Sequence, residues 1–152
     1  MNWHKQIASV LGIGYIKGGG TFAAILYCII WYLLPAGYVS SYWQAAVTLL
    51  IIFIGTWSAG QVEKDWGKDS SKVVMDEVAG MAVTLLYSPH NMIYLLIGLV
   101  LFRFFDILKP FGIRSLEKIP GGWGVMADDI LSGVYAFVIV RIVMICQANY
   151  FS

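Results

Sequence analysis

Residues 102–129 read FRFFDILKPFGIRSLEKIPGGWGVMADD and gather Arg103, Asp106, Lys109, Arg114, Asp128 and Asp129 around one Lys-Pro turn between two apolar runs. Charge at the mouth of an apolar segment costs free energy, so such groups have partners or a task. A further acidic pair, Asp76-Glu77, opens another apolar run. Arg103, Asp106 and Lys109 recur at i, i+3 and i+6, which keeps them near one helix face. Asp76 with Gly80, and Asp129 with Gly133, share the pattern D-x-x-x-G. A glycine one turn beyond the acid lets a neighbouring helix approach and draws the carboxylates together. Converging carboxylates repel unless they hold cations. Oxygen ligands suit Mg²⁺ or Mn²⁺, and without clustered His or Cys zinc is disfavoured. The expected ligands are Asp76, Glu77, Asp128 and Asp129, with Asp106 beside them as a further catalytic acid. Arg103, Lys109, Arg114 and Lys64 are the expected phosphate ligands, and Thr21, at the same level, is a further expected substrate-binding residue. Carboxylate-held metal with basic side chains is equipment for phosphoryl chemistry. Helix-end electrostatics alone would account for Asp128 and Asp129 and partly for Asp76 and Glu77. It fails for Asp106, near a helix C-terminus, where a carboxylate is disfavoured.

The elements that position these groups are apolar. The 152 residues are 59% hydrophobic and 12% charged, with mean hydropathy +0.75, whereas a soluble domain is about a quarter charged. Six Trp and nine Tyr suit a chain that meets two membrane interfaces. A net charge of +1 with no basic run gives no nucleic-acid signal. Cys28 and Cys146 lie in apolar runs without a Cys or His at ligand spacing and read as packing residues. The first residues lack the pattern of a signal peptide. The expectation is a single domain over residues 1–152.

Residues 2–11 are short and mildly amphipathic, an interfacial helix. Five apolar runs follow at 22–34, 42–58, 73–87, 92–108 and 125–145. Thr21 is placed to cap the first of them. The third is barely long enough to span about 30 Å of hydrocarbon. The connections alternate: Lys5 and Lys17, then Lys64, Lys68 and Lys72, then Lys109, Arg114 and Lys118 fall on one side, while 35–41, 88–91 and the tail 147–152 carry no Lys or Arg. The positive-inside rule gives a cytoplasmic N-terminus, five crossings and an outer C-terminus. Arg141 alone disagrees, and it can snorkel or pair. This topology puts Thr21, Glu63, Lys64, Asp65, Asp69 and all the paired acids at the cytoplasmic ends of their helices. The fold class expected is an all-α polytopic membrane bundle of about five membrane helices plus the short interfacial helix.

The blocks VVMDEVAG (73–80), FRFFDILKPFGIR (102–114) and GGWGVMADDILSG (121–133) resemble the signatures of the phosphatidylglycerophosphatase A family in order and spacing. Weaker echoes are Gly12, Gly14, Gly20 and Thr21, and the K-D-x-G of residues 64–67. The first block departs from the family, whose P-x-A-P-G-T is replaced here by IKGGGT. The resemblance implies a bacterial inner-membrane enzyme that uses Mg²⁺ to remove the terminal phosphate of phosphatidylglycerophosphate at the cytoplasmic face. Its implied partners are the phospholipid substrate and membrane lipids, with oligomeric state open. A metal-activated water is expected as nucleophile rather than an aspartyl-phosphate, since no D-x-D motif is present. Another lipid-phosphate phosphatase is the nearest alternative. A small cation transporter would spread its acids through the bilayer depth, and a non-enzymatic assembly protein would not need them on three helices. A CDP-alcohol transferase would carry a denser motif on one helix. Among the other polar groups, His4 and His90 read as structural, and Lys68, Lys72 and Lys118 as contacts to anionic headgroups. Gly121, Gly122 and Gly124 could cradle phosphate or simply form a turn.

Overall fold

A computed structural model describes residues 2–39, 41–68 and 70–150. Asp69 and the end of the tail at Ser152, both placed by the topology above, lie outside the described residues. The elements are α1 (Trp3–Ala8), a 3-10 turn (Ile13–Tyr15), α2 (Gly19–Leu33), α3 (Ala36–Val39), α4 (Tyr42–Trp66), α5 (Met75–Thr84), α6 (Met92–Leu108), α7 (Ile113–Leu116) and α8 (Gly122–Tyr150). The described chain is all-helical, and each apolar run supplies the body of one helix.

Two helices, α4 and α8, are long and apolar enough to cross a membrane. In each, 28% of the most apolar stretch is buried inside the bundle, and the rest is at least partly exposed. Leu49, Phe53, Ile142 and Ile145 are among the exposed apolar residues that result. Helices α2 and α6, of 15 and 17 residues, reach about 22–26 Å, and α5, of 10 residues, about 15 Å. Only two of the five expected spans therefore meet the full length criterion. The third run falls furthest short: α5 ends at Thr84, and Leu85–Tyr87 leave the helix although they are apolar.

Side chains from neighbouring helices satisfy that early end. The buried Gln44 amide donates to the Leu85 carbonyl at 2.8 Å and accepts from the Tyr87 N–H at 2.8 Å. Arg141 donates to the carbonyls of Leu86 and Tyr87 at 2.9 and 2.7 Å. The one cation that breaks the loop-charge pattern is thus held by carbonyls of the turn that follows α5.

Helix α4 runs eight residues past its expected end, through the charged segment QVEKDW. Lys5 of α1 pairs with Asp65 at 2.7 Å, and the Val74 N–H donates to the Ala8 carbonyl at 2.9 Å. The first contact holds α1 along the polar half of α4, and the second ties its end to the start of α5. The core lies between α5 and its neighbours, where Trp31, Met81, Leu85, Phe102 and Ala136 are fully buried.

Candidate active site

The site forms where the N-termini of α2 and α5, the C-terminal turn of α6 and the second turn of α8 meet. Glycines set the approach. A Cβ on Gly80 would meet the Asp129 carbonyl oxygen at 2.7 Å and press into the Phe102 ring, and one on Gly133 would strike the Gly80 carbonyl. The two D-x-x-x-G motifs therefore pack against each other. A Cβ on Gly20 would strike the Glu77 carboxylate, so α2 also meets the acids through a bare backbone.

Asp76, Glu77 and Asp129 offer carboxylate oxygens that all lie within 4.8 Å of one another. Asp76 and Asp129 are buried. The Asp76 carboxylate accepts the Glu77 N–H at 3.1 Å. Glu77 Oε2 and Asp129 Oδ2 are buried with no hydrogen-bond partner. Buried carboxylate oxygens without donors are costly, and an all-oxygen set of this closeness fits a hard divalent cation.

The four-acid ligand set expected from sequence divides. Asp128 stands outside the close group of three and accepts a hydrogen bond from Lys109, which also donates to Glu117 at 2.8 Å. Of the adjacent pair Asp128-Asp129, only Asp129 joins the group of carboxylates that lie within 4.8 Å of one another. Lys109 is not placed as a phosphate ligand: it caps α6 in the left-handed conformation (φ 46°) and ties that turn to α8 and the following loop. Burial alone would lower the Lys109 pKa, but its hydrogen bonds to Asp128 and Glu117 prevail and raise it. The Lys109 hydrogen bond likewise holds Glu117 below the ordinary range.

Arg103 stays at the cluster. Its Nη1 is 2.5 Å from Asp106 and 4.0 Å from Glu77, and its Nε is buried without a partner. Arg103 and Glu77 line a cavity of about 590 Å³ with Thr21, Lys17, Lys72 and the glycine-rich turn. Thr21 is not the helix cap. Gly18 occupies the N-cap position with φ 80°, and α2 begins two residues before Thr21. That start needs glycine at position 19 too, where a Cβ would lie 2.6 Å from the Ile13 carbonyl.

Arg114 lies in α7 near Glu117, and Lys64 is exposed in the last turn of α4. Neither lines the cavity. Gly122 and Gly124 fit against the carbonyls of Thr56 and Ile119, which gives them a packing role. His4 packs on Trp57 and His90 stacks on Trp31 and Tyr32, away from the acids.

Sequence reasoning missed Lys17 and Lys72 as cavity residues. Gly14 packs directly on the Lys72 carbonyl, which fixes the loop before α5 against the 3-10 turn. The Lys72 ammonium sits over the rings of Tyr15 and Trp66, 5.9 and 5.8 Å from their centroids. The one available signal was Lys17 inside the glycine-rich block.

Buried acids beside a guanidinium, at one end of an apolar helical bundle, have the make-up of a site for phosphate chemistry. The chain belongs to the phosphatidylglycerophosphatase A family, whose model matches residues 6–144, and it is a phosphatase. Among its relatives is a Bacteroides thetaiotaomicron protein described as "Putative phosphatidylinositol-3-phosphatase", 40% identical over 88% of this chain and 91% of its own. The Escherichia coli phosphatidylglycerophosphatase A is 35% identical over 87% of this chain and 77% of its own. The Haemophilus influenzae phosphatidylglycerophosphatase A is 38% identical over 61% and 59%. No solved structure matches at a significant level.

Proposed function

We propose that this protein hydrolyses the terminal phosphate monoester of phosphatidylglycerophosphate to give phosphatidylglycerol, with Mg²⁺, or alternatively Mn²⁺, held by Asp76, Glu77 and Asp129. The observation that carries this reading is the convergence of those three carboxylates, of which Glu77 lines the cavity together with Arg103. When bound, the cation supplies Lewis-acid polarisation of the phosphate and a more acidic water. Arg103 presents a guanidinium fork to the phosphate and stabilises charge that develops on its oxygens. Asp106 aims that fork through the 2.5 Å contact. The Lys109–Asp128 pair secures the α6–α8 connection, which keeps Asp129 turned toward the cluster. Lys17 and Lys72 hold the rest of an anionic headgroup at the cavity rim.

The reading includes residence in a bacterial inner membrane, multi-pass, with the N-terminus and the site on the cytoplasmic side. The outward apolar faces of α4 and α8 support it. So does the level of α5: Met75 packs near Gly55, halfway along α4, and Leu85 reaches Gln44 near the opposite end. The short α5 completes a crossing that starts from a recessed site, which keeps five passages of the chain.

A second substrate is favoured by the description of the Bacteroides relative: a phospholipid with a phosphorylated inositol headgroup. Phosphate release from phosphatidylglycerophosphate and from phosphatidylinositol 3-phosphate, assayed side by side on the purified protein, tests both. Turnover of the first with little of the second is expected, and the reverse order would replace glycerol by inositol in the proposal.

A further inference from the structure

Helices α2 and α6 line two spaces, one polar and one apolar. At the polar end, Thr21 and Arg103 border the cavity beside the acids. Farther along, Ile25, Cys28 and Ile29 of α2 and Leu95, Leu96 and Leu99 of α6 enclose an apolar groove of about 250 Å³. The residues are in phase. From Thr21 the groove positions follow at +4, +7 and +8, and from Arg103 they recur at −4, −7 and −8. Steps of three, four and seven return to the same helix face. Cavity and groove therefore lie on one continuous face of each helix, end to end. From Arg103 to Met92, at the far end of the groove, is about 16 Å of helix.

We propose that this groove holds an acyl chain of the lipid whose phosphorylated headgroup occupies the cavity, which makes the α2–α6 cleft the lateral slot through which substrate reaches the site. The inference rests on the reading that the substrate is a phosphorylated lipid. A chain seated along this face projects its headgroup past Thr21 toward Arg103, and leaves the lipid anchored while the phosphate meets the acids. Ile29 and Leu96 wall the groove and are about half exposed, at 52% and 51%. A second apolar hollow of about 460 Å³, lined by Phe105, Phe111, Val134, Tyr135, Val138 and Ile139, shares no residue with the cavity. It provides an internal control of larger size.

The test has two arms. In the first, purified protein in mixed micelles is photolysed with a phosphatidylglycerophosphate carrying a diazirine midway along one acyl chain. Labelling on α2 and α6 should exceed that on α8 around Val138 several-fold, and Ile29→Trp or Leu96→Trp should abolish the excess. Equal labelling of both faces overturns the proposal. In the second, kcat/KM is measured for dioleoyl and dihexanoyl phosphatidylglycerophosphate. Ile29→Trp and Leu96→Trp should lower the dioleoyl value tenfold or more and leave the dihexanoyl value within about twofold, while Val138→Trp changes neither. Equal losses on both lipids, or no loss on either, overturns it. Should the unaltered protein release phosphate from neither lipid, the proposed activity fails, and the labelling arm still decides the groove.

Discussion

Gly80 of α5 and Gly133 of α8 meet backbone to backbone, and a Cβ on Gly133 would collide with the Gly80 carbonyl oxygen. Each glycine stands one turn beyond an acid of the cluster, so this contact sets the distance between Asp76 and Asp129. Gly133→Ala should push α8 away from α5. The expected cost is about 1–3 kcal/mol of stability, typical of overpacking against groups that cannot yield, together with a loss of turnover of tenfold or more. Thermal unfolding in detergent and phosphate release check the two effects.

Lys109 is expected to act through structure. Lys109→Ala leaves the buried Asp128 without its cation and should destabilise the protein by about 2 kcal/mol or more. Adding Asp128→Asn should recover much of that loss. A phosphate ligand would behave differently: Lys109→Ala would then raise KM and leave the unfolding temperature unchanged.

The loop partner of Lys109 gives a pH signature. The Glu117 pKa is depressed in the folded protein by its hydrogen bond to Lys109. A depressed carboxylate contributes stability above its unfolded pKa, near about 4.3, and loses it as pH falls through the lower folded value. The gap in unfolding temperature between the unaltered protein and Glu117→Gln should be present at neutral pH and close on acidification below about pH 4. A gap that widens on acidification would contradict this sign.

Arg103→Lys keeps the charge and removes the planar fork. Turnover should fall by about 10²-fold, as for loss of a transition-state donor, with little change in stability. A mild effect would reduce Arg103 to a counter-ion for Asp106.

Much of this was legible in the sequence. The three signature blocks, the D-x-x-x-G pairs and the alternating loop charge led to Asp76, Glu77, Asp106, Asp129 and Arg103 at one end of an all-helical bundle. The split between Asp128 and Asp129 was not legible, because spacing of one residue says nothing about which side chain faces the cluster. That choice follows from the Gly80–Gly133 contact. Lys109 looked like a phosphate ligand because its partner, Glu117, lies eight residues on across a turn of irregular geometry. The end of α5 was hidden by the apolar Leu85–Tyr87, whose backbone groups are satisfied by Gln44 and Arg141 from distant parts of the chain. The fourteen-residue polar stretch after Ser58 looked like a loop, yet its first half continues α4, held there by the pairing of Lys5 with Asp65.

Topology can be read by reporters. One inserted after Ser70 should be cytoplasmic and one after His90 external. Both on the same side would mean that α5 does not carry the chain across.

The central claim, that Asp76, Glu77 and Asp129 hold the divalent ion that phosphate hydrolysis needs, meets its most direct test in one titration. Phosphate release from phosphatidylglycerophosphate is followed as free Mg²⁺ is restored to chelated protein, for the unaltered chain and for Asp129→Asn. The account predicts no release without the ion, saturable recovery for the unaltered chain, and a loss of orders of magnitude for Asp129→Asn even at saturating Mg²⁺. Release that survives chelation, or near-normal turnover of Asp129→Asn, would contradict it.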